Sequence, residues 1–494
     1  MSLSRIFLGI ILIAFNSSSL IAQKEVSNWI VGESIGFNFN NGRFDIFNRP
    51  TNPDQTLRSS TISYSDPTTG ELLFFSDGKY LWNRDFGIVN RDNPFKSGVN
   101  SLNQTIISTP IGNNEHIIFT IKQSLDQNDG AFYHIYNTEK NELTSINEKV
   151  VSGVAEKITL IPKNKKYSYW LIMQDLLTSN LLIYSVEGKS IDLINSYPLE
   201  GLIEQPELND NAGYLQSSPN GEFLVNLNYS ENPLYNIVEL FRFNKVLGEI
   251  VKIGTLGNYD FLFSAIFSPD NSKLFITYGG DGSGTEPLIQ YDLSVASVDE
   301  IIRTRDSLKF EYEVFPESDL FHTITPTILQ TGYDGKIYNS FLGSIRGPNG
   351  ALNRTIAIIK NPNEKIQNID FEIIALKTEA IKTNIGFVES FPQFPQYYFD
   401  NIPTKNLYYG ECPGLKSLVF YPNPTDDVLY LSYDNPVCLY PFEIEVFNSF
   451  GQLITKFRYN KEDEGVSLSN FSSGLYFILV RNNYDTILRK VVVL

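Results

Sequence analysis

Histidine, methionine, tryptophan and cysteine are scarce in this chain, with 3 His, 2 Met, 3 Trp and 2 Cys among 494 residues. So few histidines leave little material for His-rich metal centres or acid–base relays. His116 opens an apolar run, and His134 sits among aromatics in Phe132–Tyr136, so alternation places both, with His322, in structural or surface roles. HExxH and Gly-x-Ser-x-Gly spacings are absent, and the reading names no catalytic residue and no metal ligand. Positive charge is also in the minority: 39 Lys and Arg face 56 Asp and Glu, a net charge of −17. An acidic surface repels phosphate backbones, which excludes nucleic acid as a partner. After the N-terminus no stretch approaches ~18 apolar residues, so no transmembrane anchor is expected.

What is abundant is aromatic: 28 Tyr and 35 Phe bring the aromatic fraction to 13 %. Such residues suit a pleated, half-buried strand. Short runs such as ELLFFS (71–76), HIIFTI (116–121), NLLIYS (180–185) and KLFITY (273–278) alternate with turns rich in Asn, Asp, Gly and Pro, and no long amphipathic helix is visible. A turn-plus-strand unit recurs as SPNGEFLV from Ser218, SPDNSKLF from Ser268, SDGKYL from Ser76 and DGKIY from Asp334. In each, Asn or Asp with a following Gly or Asn suits the positive φ of a tight turn. The Ser218 and Ser268 copies lie 50 residues apart, close to one four-stranded propeller blade. The fold expected is therefore all-β, with a β-propeller of about seven blades over residues 23–402. An array of β-sandwiches is the alternative, and 151–206 and 281–316 are weakly patterned.

The N-terminus carries Arg5, a ten-residue apolar stretch from Ile6 to Phe15, polar residues 16–19, and Ala22 before Gln23. That pattern reads as a signal peptide over 1–22, cleaved between Ala22 and Gln23, with Sec machinery as the implied partner. No Cys follows the apolar stretch to take a lipid. Cys412 and Cys438 could join in one disulfide in an exported protein, or remain two buried thiols; sequence leaves both open. The glycine-rich loop Gly279–Gly284 lacks the context of a phosphate loop. It reads as a turn, and calcium bound through Asp281 would have no ligand series behind it. No cofactor is expected.

Several segments resemble the WD-repeat-like β-propellers of Bacteroidetes surface proteins. They are Asn28–Gly32 with Gly36–Phe39, Ile62–Asp66 with Gly70–Gly78 and Leu81–Asn83, Ser101–Pro110 with Gln104, and Phe391–Phe394 with Tyr397–Phe399, the last resembling the family's closing strand. They fall at both ends of the region, which implies one closed ring. A linker is read over 403–416.

Residues 417–494 change in character. Short alternating strands suggest a small Ig-like antiparallel sandwich. Tyr421-Pro422-Asn423-Pro424, Phe447–Gln452 with Gly451, Leu468 with Gly474-Leu475-Tyr476-Phe477, and Arg489-Lys490-Val491-Val492-Val493 stand in one order. Pro422 and Pro424 favour an extended entry to the first strand. Gly451 and Gly474 are expected to supply positive φ at turns. Together these features resemble the type A C-terminal sorting domain of type IX secretion substrates. The resemblance implies export to the outer cell surface, recognition by the type IX translocon, and removal by a sortase-like protease, with attachment to surface lipopolysaccharide as one outcome. The molecular reading is a secreted or surface propeller that binds an extracellular protein or glycan, with adhesion as its use. A hydrolase or lyase with carboxylates at the propeller top is the competing expectation.

Overall fold

The computed structural model describes residues 24–494 except 32–34, 41–42, 49–59, 99–103, 200–211, 231, 261, 280–287, 309–324, 343–344, 347–351, 377–390, 401, 403–407, 410–417, 433–441, 460–464 and 482–485. The signal segment with Ala22 and Gln23, Asp281, His322, Cys412 and Cys438 lie outside the described residues.

Seven antiparallel sheets follow one another from Asn28 to Leu376. Their first strands are Asn28–Val31, Ile62–Ser65, Ile106–Gly112, Val154–Pro162, Ala212–Ser217, Leu262–Phe267 and Thr325–Thr331, each beside the next. The ring closes where Trp29 of the first blade meets Tyr338 of the seventh, their rings 5.3 Å apart. This is a seven-bladed β-propeller. Within the stretch 151–206, weakly patterned in sequence, residues 154–197 form a regular fourth blade ending in Ser190–Tyr197.

The repeated turns behave as their composition dictates. Gly78, Gly221 and Gly335 have φ of +86°, +69° and +76°, and Asn271 stands at +65°. In the fifth and sixth blades the turn joins the first two strands. Ser218 Oγ accepts from the Phe223 amide at 2.9 Å, and Ser268 Oγ from the Lys273 amide at 2.8 Å. The two turns touch, because the Asn220 amide donates to Asn271 Oδ1 at 2.9 Å. The Ser76 copy instead joins the second and third strands of its blade.

The segment read as a closing strand is not one. Residues 391–400 make a single parallel bridge, Pro392 to Thr61, and then a 3-10 turn, Gln396–Phe399. Its side chains run along the centre of the ring. Phe391 packs 5.2 Å from Trp29 of the first blade, and Tyr398 lies 6.5 Å from Tyr64 of the second. The hydroxyls of Tyr397 and Thr109, in the third blade, are 2.8 Å apart. Tyr397 stacks 5.9 Å from Tyr169 of the fourth, Gln393 accepts from Tyr214 of the fifth at 2.8 Å, and Asp400 accepts from Asn271 of the sixth at 3.2 Å. Proline at 392 and 395 denies the segment a regular ladder, which is why it fills the axis instead of extending a sheet. Inside the stretch read as a linker, Tyr408–Tyr409 pairs parallel with Arg43 and Phe44 and completes the first blade's outer edge. That linker is thus partly propeller.

Residues 418–494 build their own core from Leu418, Phe420, Leu429, Ile444, Val446 and Ile478 among others. A three-stranded sheet (Val419–Tyr421, Val428–Ser432, Val466–Ser467) and a four-stranded one (Leu453–Tyr459, Phe442–Asn448, Gly474–Arg481, Thr486–Val493) form this sandwich.

Trp29 is fully buried and touches Phe37, Phe39, Tyr338, Phe391 and Phe394. Trp29→Ala should therefore lose about 3–5 kcal/mol of stability. Urea unfolding measures it, and a loss below ~1 kcal/mol would mean that closure does not depend on this cluster.

Candidate functional site

A cleft of about 350 Å³ opens between the second, third and fourth blades. It lies on the face formed by the turns between first and second strands. Its floor is Tyr64, Leu73 and His116, and one wall is Pro110, Gly112 and Tyr167. The rim carries Asp66, Arg84, Asn114, Glu115, Thr138 and Glu139.

Local chemistry sets each position. Asp66 opens a tight turn and accepts the Thr69 and Thr68 amides on Oδ1 at 2.7 and 2.8 Å, which holds its carboxyl below the usual range. Glu115 pairs with Lys189 at 2.9 Å, and Glu139 accepts from Asn114 at 2.8 Å. Tyr167 has a φ of +60°, a strained setting for a bulky residue. Its ring lies on Gly112, where a Cβ would come within 3.1 Å of it. Glycine is favoured there by its φ of +93°, and the ring would also have to give a little to admit a Cβ.

His116 is 4 % exposed and sits edge-on to Tyr64 and Phe74, with centroids 4.2 and 5.0 Å away. Its Nδ1 has no hydrogen-bond partner among the described residues. Burial pushes its pKa down to about 3. His134 lies elsewhere in the third blade and is structural. Its Nδ1 accepts the Asn147 amide at 2.9 Å, so Nε2 carries the proton and donates to Thr120 Oγ1, also at 2.9 Å. Burial pushes its pKa down to about 3, and protonating Nδ1 would break that chain.

The carboxyls that burial raises are Glu25, Asp77 (up to about 6) and Asp334. None of them lines the cleft. Sequence reading missed the cleft because its members come from five separate turns. The strained Tyr167 after a Lys-Lys pair carries no recognisable spacing.

In the tail, Asn423 does more than punctuate a proline pair. Its Nδ2 donates to the Lys490 carbonyl at 2.8 Å, and its Oδ1 accepts the Val492 amide at 3.0 Å. Thr425 continues the contact, donating its amide to the Val492 carbonyl at 2.9 Å. The terminal strand is thus held on both edges, by Gly474–Arg481 and by this segment. Tyr421, Pro422, Pro424 and the Lys490 residue itself face solvent. Gly451 has the expected positive φ, +77°. Gly474 does not: it is the first residue of an extended strand, where an added Cβ would meet nothing closer than 3.8 Å.

Two outcomes follow from these geometries. Both histidines have folded-state pKa values below the free value of 6.5, so the fold requires them neutral. Stability should be full above about pH 6.5 and fall towards pH 3, by up to about 1.4 kcal/mol per pH unit for each histidine. Denaturant unfolding at pH 7, 5 and 4 measures the slope, and a flat profile would contradict it. Asn423→Ala should cost the tail about 1–2 kcal/mol. Faster hydrogen exchange at the Val492 amide, with the propeller unchanged, is the expected readout.

Residues 419–494 match the family described as "Secretion system C-terminal sorting domain". No curated protein matches the chain. Among solved structures, a Bacteroides fragilis protein proposed to be a 6-phosphogluconolactonase is similar at 14 % identity and TM-score 0.35, over 78 % of this chain and 97 % of that one. A Lactobacillus plantarum protein is similar at 9 % and 0.34, over 64 % and 94 %. A functionally unknown protein from Desulfotomaculum acetoxidans is similar at 13 % and 0.34, over 56 % and 84 %. The propeller assignment rests on sheet order and ring closure, not on these likenesses. The tail, by its match and by its own closed sandwich, is a type IX secretion sorting domain, which marks the chain for secretion to the cell surface.

Proposed function

We propose that this chain is a surface-displayed binding propeller. Residues 1–22 carry it through the Sec machinery, the translocon reads the tail, and a sortase-like protease then removes it. The propeller holds an extracellular protein or glycan, and adhesion is its use. The observation that carries the reading is the pairing of a sorting domain with a propeller whose axis is filled by its own chain and whose cleft lies among exposed turns. Function sited on loops over a rigid scaffold is the general pattern for such folds.

The hydrolase reading receives less support. Acid–base hydrolysis uses two carboxyls held apart in pKa and facing one substrate. Here none of the raised carboxyls lines the cleft, although Glu25 lies close enough to act on the rim's Asp66 and the floor's Tyr64.

Deleting Leu418–Leu494 should trap the chain in the periplasm, while the full chain reaches the surface. Fractionation with surface immunodetection measures both. Arrival of the truncated chain at the surface would sink the export reading.

A further inference from the structure

We propose that the cleft between the second, third and fourth blades is a binding site for a neutral oligosaccharide. The inference rests on the binding reading above and names the ligand class.

Charge is the first argument. The chain carries −17, yet the cleft is balanced. In the lining itself Asp66, Glu115 and Glu139 face Arg84, and the other two positive charges come from just outside it, Lys189 bound to Glu115 and Lys166 over the Tyr167 ring at 4.6 Å. A charged ligand would upset that balance in either direction. A neutral one would not.

Hydrogen-bonding capacity is the second. Glu115 engages Lys189 through Oε1, and Glu139 engages Asn114 through Oε2. One oxygen of each is thus fixed by the protein while the other is left to accept. Arg84 supplies donors and makes no ion pair among the described residues. His116, held neutral at the floor, has an unpartnered Nδ1. Hydroxyl groups donate and accept at once, and a set of acceptors, a guanidinium and a neutral imidazole suits several of them on one face.

Shape is the third. Tyr64 floors the cleft and Tyr167 stands at its lip, the latter in a backbone setting that costs energy. Flat aromatic surface beside convergent polar groups suits the apolar face of a sugar ring. The volume, about 350 Å³, lies at the small end of ligand sites. An extended peptide is the poorer fit, because about half of the lining comes from turns and the edge strand that enters the cleft, Ile106–Gly112, carries Pro110, which has no amide to donate.

The test uses the full chain lacking residues 1–22. It is applied to an array of neutral gluco-, galacto-, manno- and xylo-oligosaccharides, alongside sulfated and uronate glycans and a basic peptide set. Titration calorimetry then follows the strongest binder. Binding to a neutral glycan is expected, weakened roughly tenfold by Tyr167→Ala and likewise by Glu139→Gln, with unfolding midpoints unchanged. Glu139→Gln is isosteric and keeps the test valid if Tyr167→Ala relaxes the turn. Neutral-glycan binding untouched by both variants would overturn the cleft assignment and leave the binding reading standing. Preference for charged glycans or basic peptides would overturn the ligand class alone. Silence across all probes would overturn both.

Discussion

The propeller depends on a segment that belongs to no blade. Residues 391–400 follow the seventh sheet and thread the ring's centre, so Trp29, which meets Tyr338 of the seventh blade, is also covered by Phe391 from the far end of the fold. Contacts so distant in sequence are costly to form and come late, because loop closure must precede any gain. Tyr408–Tyr409 repeats the device at the rim, where a late strand seals an early one. Closure is thus applied twice, at the axis and at the edge, each time by chain that follows the last blade.

Filling the axis also decides where chemistry can happen. Many propellers expose a funnel, and a funnel site is the natural expectation from composition. Here tyrosines from four elements meet on the axis, and burial raises the pKa of Tyr64, Tyr397 and Tyr398. Other polar groups are spent between blades. Lys157 has its ammonium among the amide oxygens of Gln174, Asn226 and Asn228, at 2.7, 3.2 and 2.9 Å, which ties the fourth blade to the fifth. Burial pulls its pKa well below the ordinary lysine value. A buried cation so satisfied specifies which blade packs on which, and it is not available to a ligand.

The blades are legible in sequence because they rest on local rules. Gly221 and Asn271 need positive φ within a few residues of the strands they feed, and 50-residue spacing reports the blade directly. The axial segment is not legible. Phe391-Pro-Gln-Phe-Pro resembles a closing strand until its prolines are weighed against the ladder that a strand would need. Gly474 illustrates the opposite error: a glycine before a strand need not be left-handed, and here it begins the strand. The cleft is the least legible of all. Glu115 and Glu139 share a blade, but Asp66, Arg84 and Tyr167 reach them only through ring geometry, which no local pattern encodes.

The tail shows how far family features and structural roles coincide. If stability alone placed them, all of its marked residues would be scaffold. Asn423 fits that reading, since both halves of its amide are committed to the terminal strand. Tyr421 does not: it is 50 % exposed and lies 5.9 Å from Tyr430, itself 44 % exposed, on the outer face of the three-stranded sheet. Phe450, at 88 % exposure, caps a turn that packing alone would leave polar. Folding accounts for the residues that hold the last strand in place. It does not account for the aromatics left in water, and these are the part of the sorting domain whose presence stability does not explain.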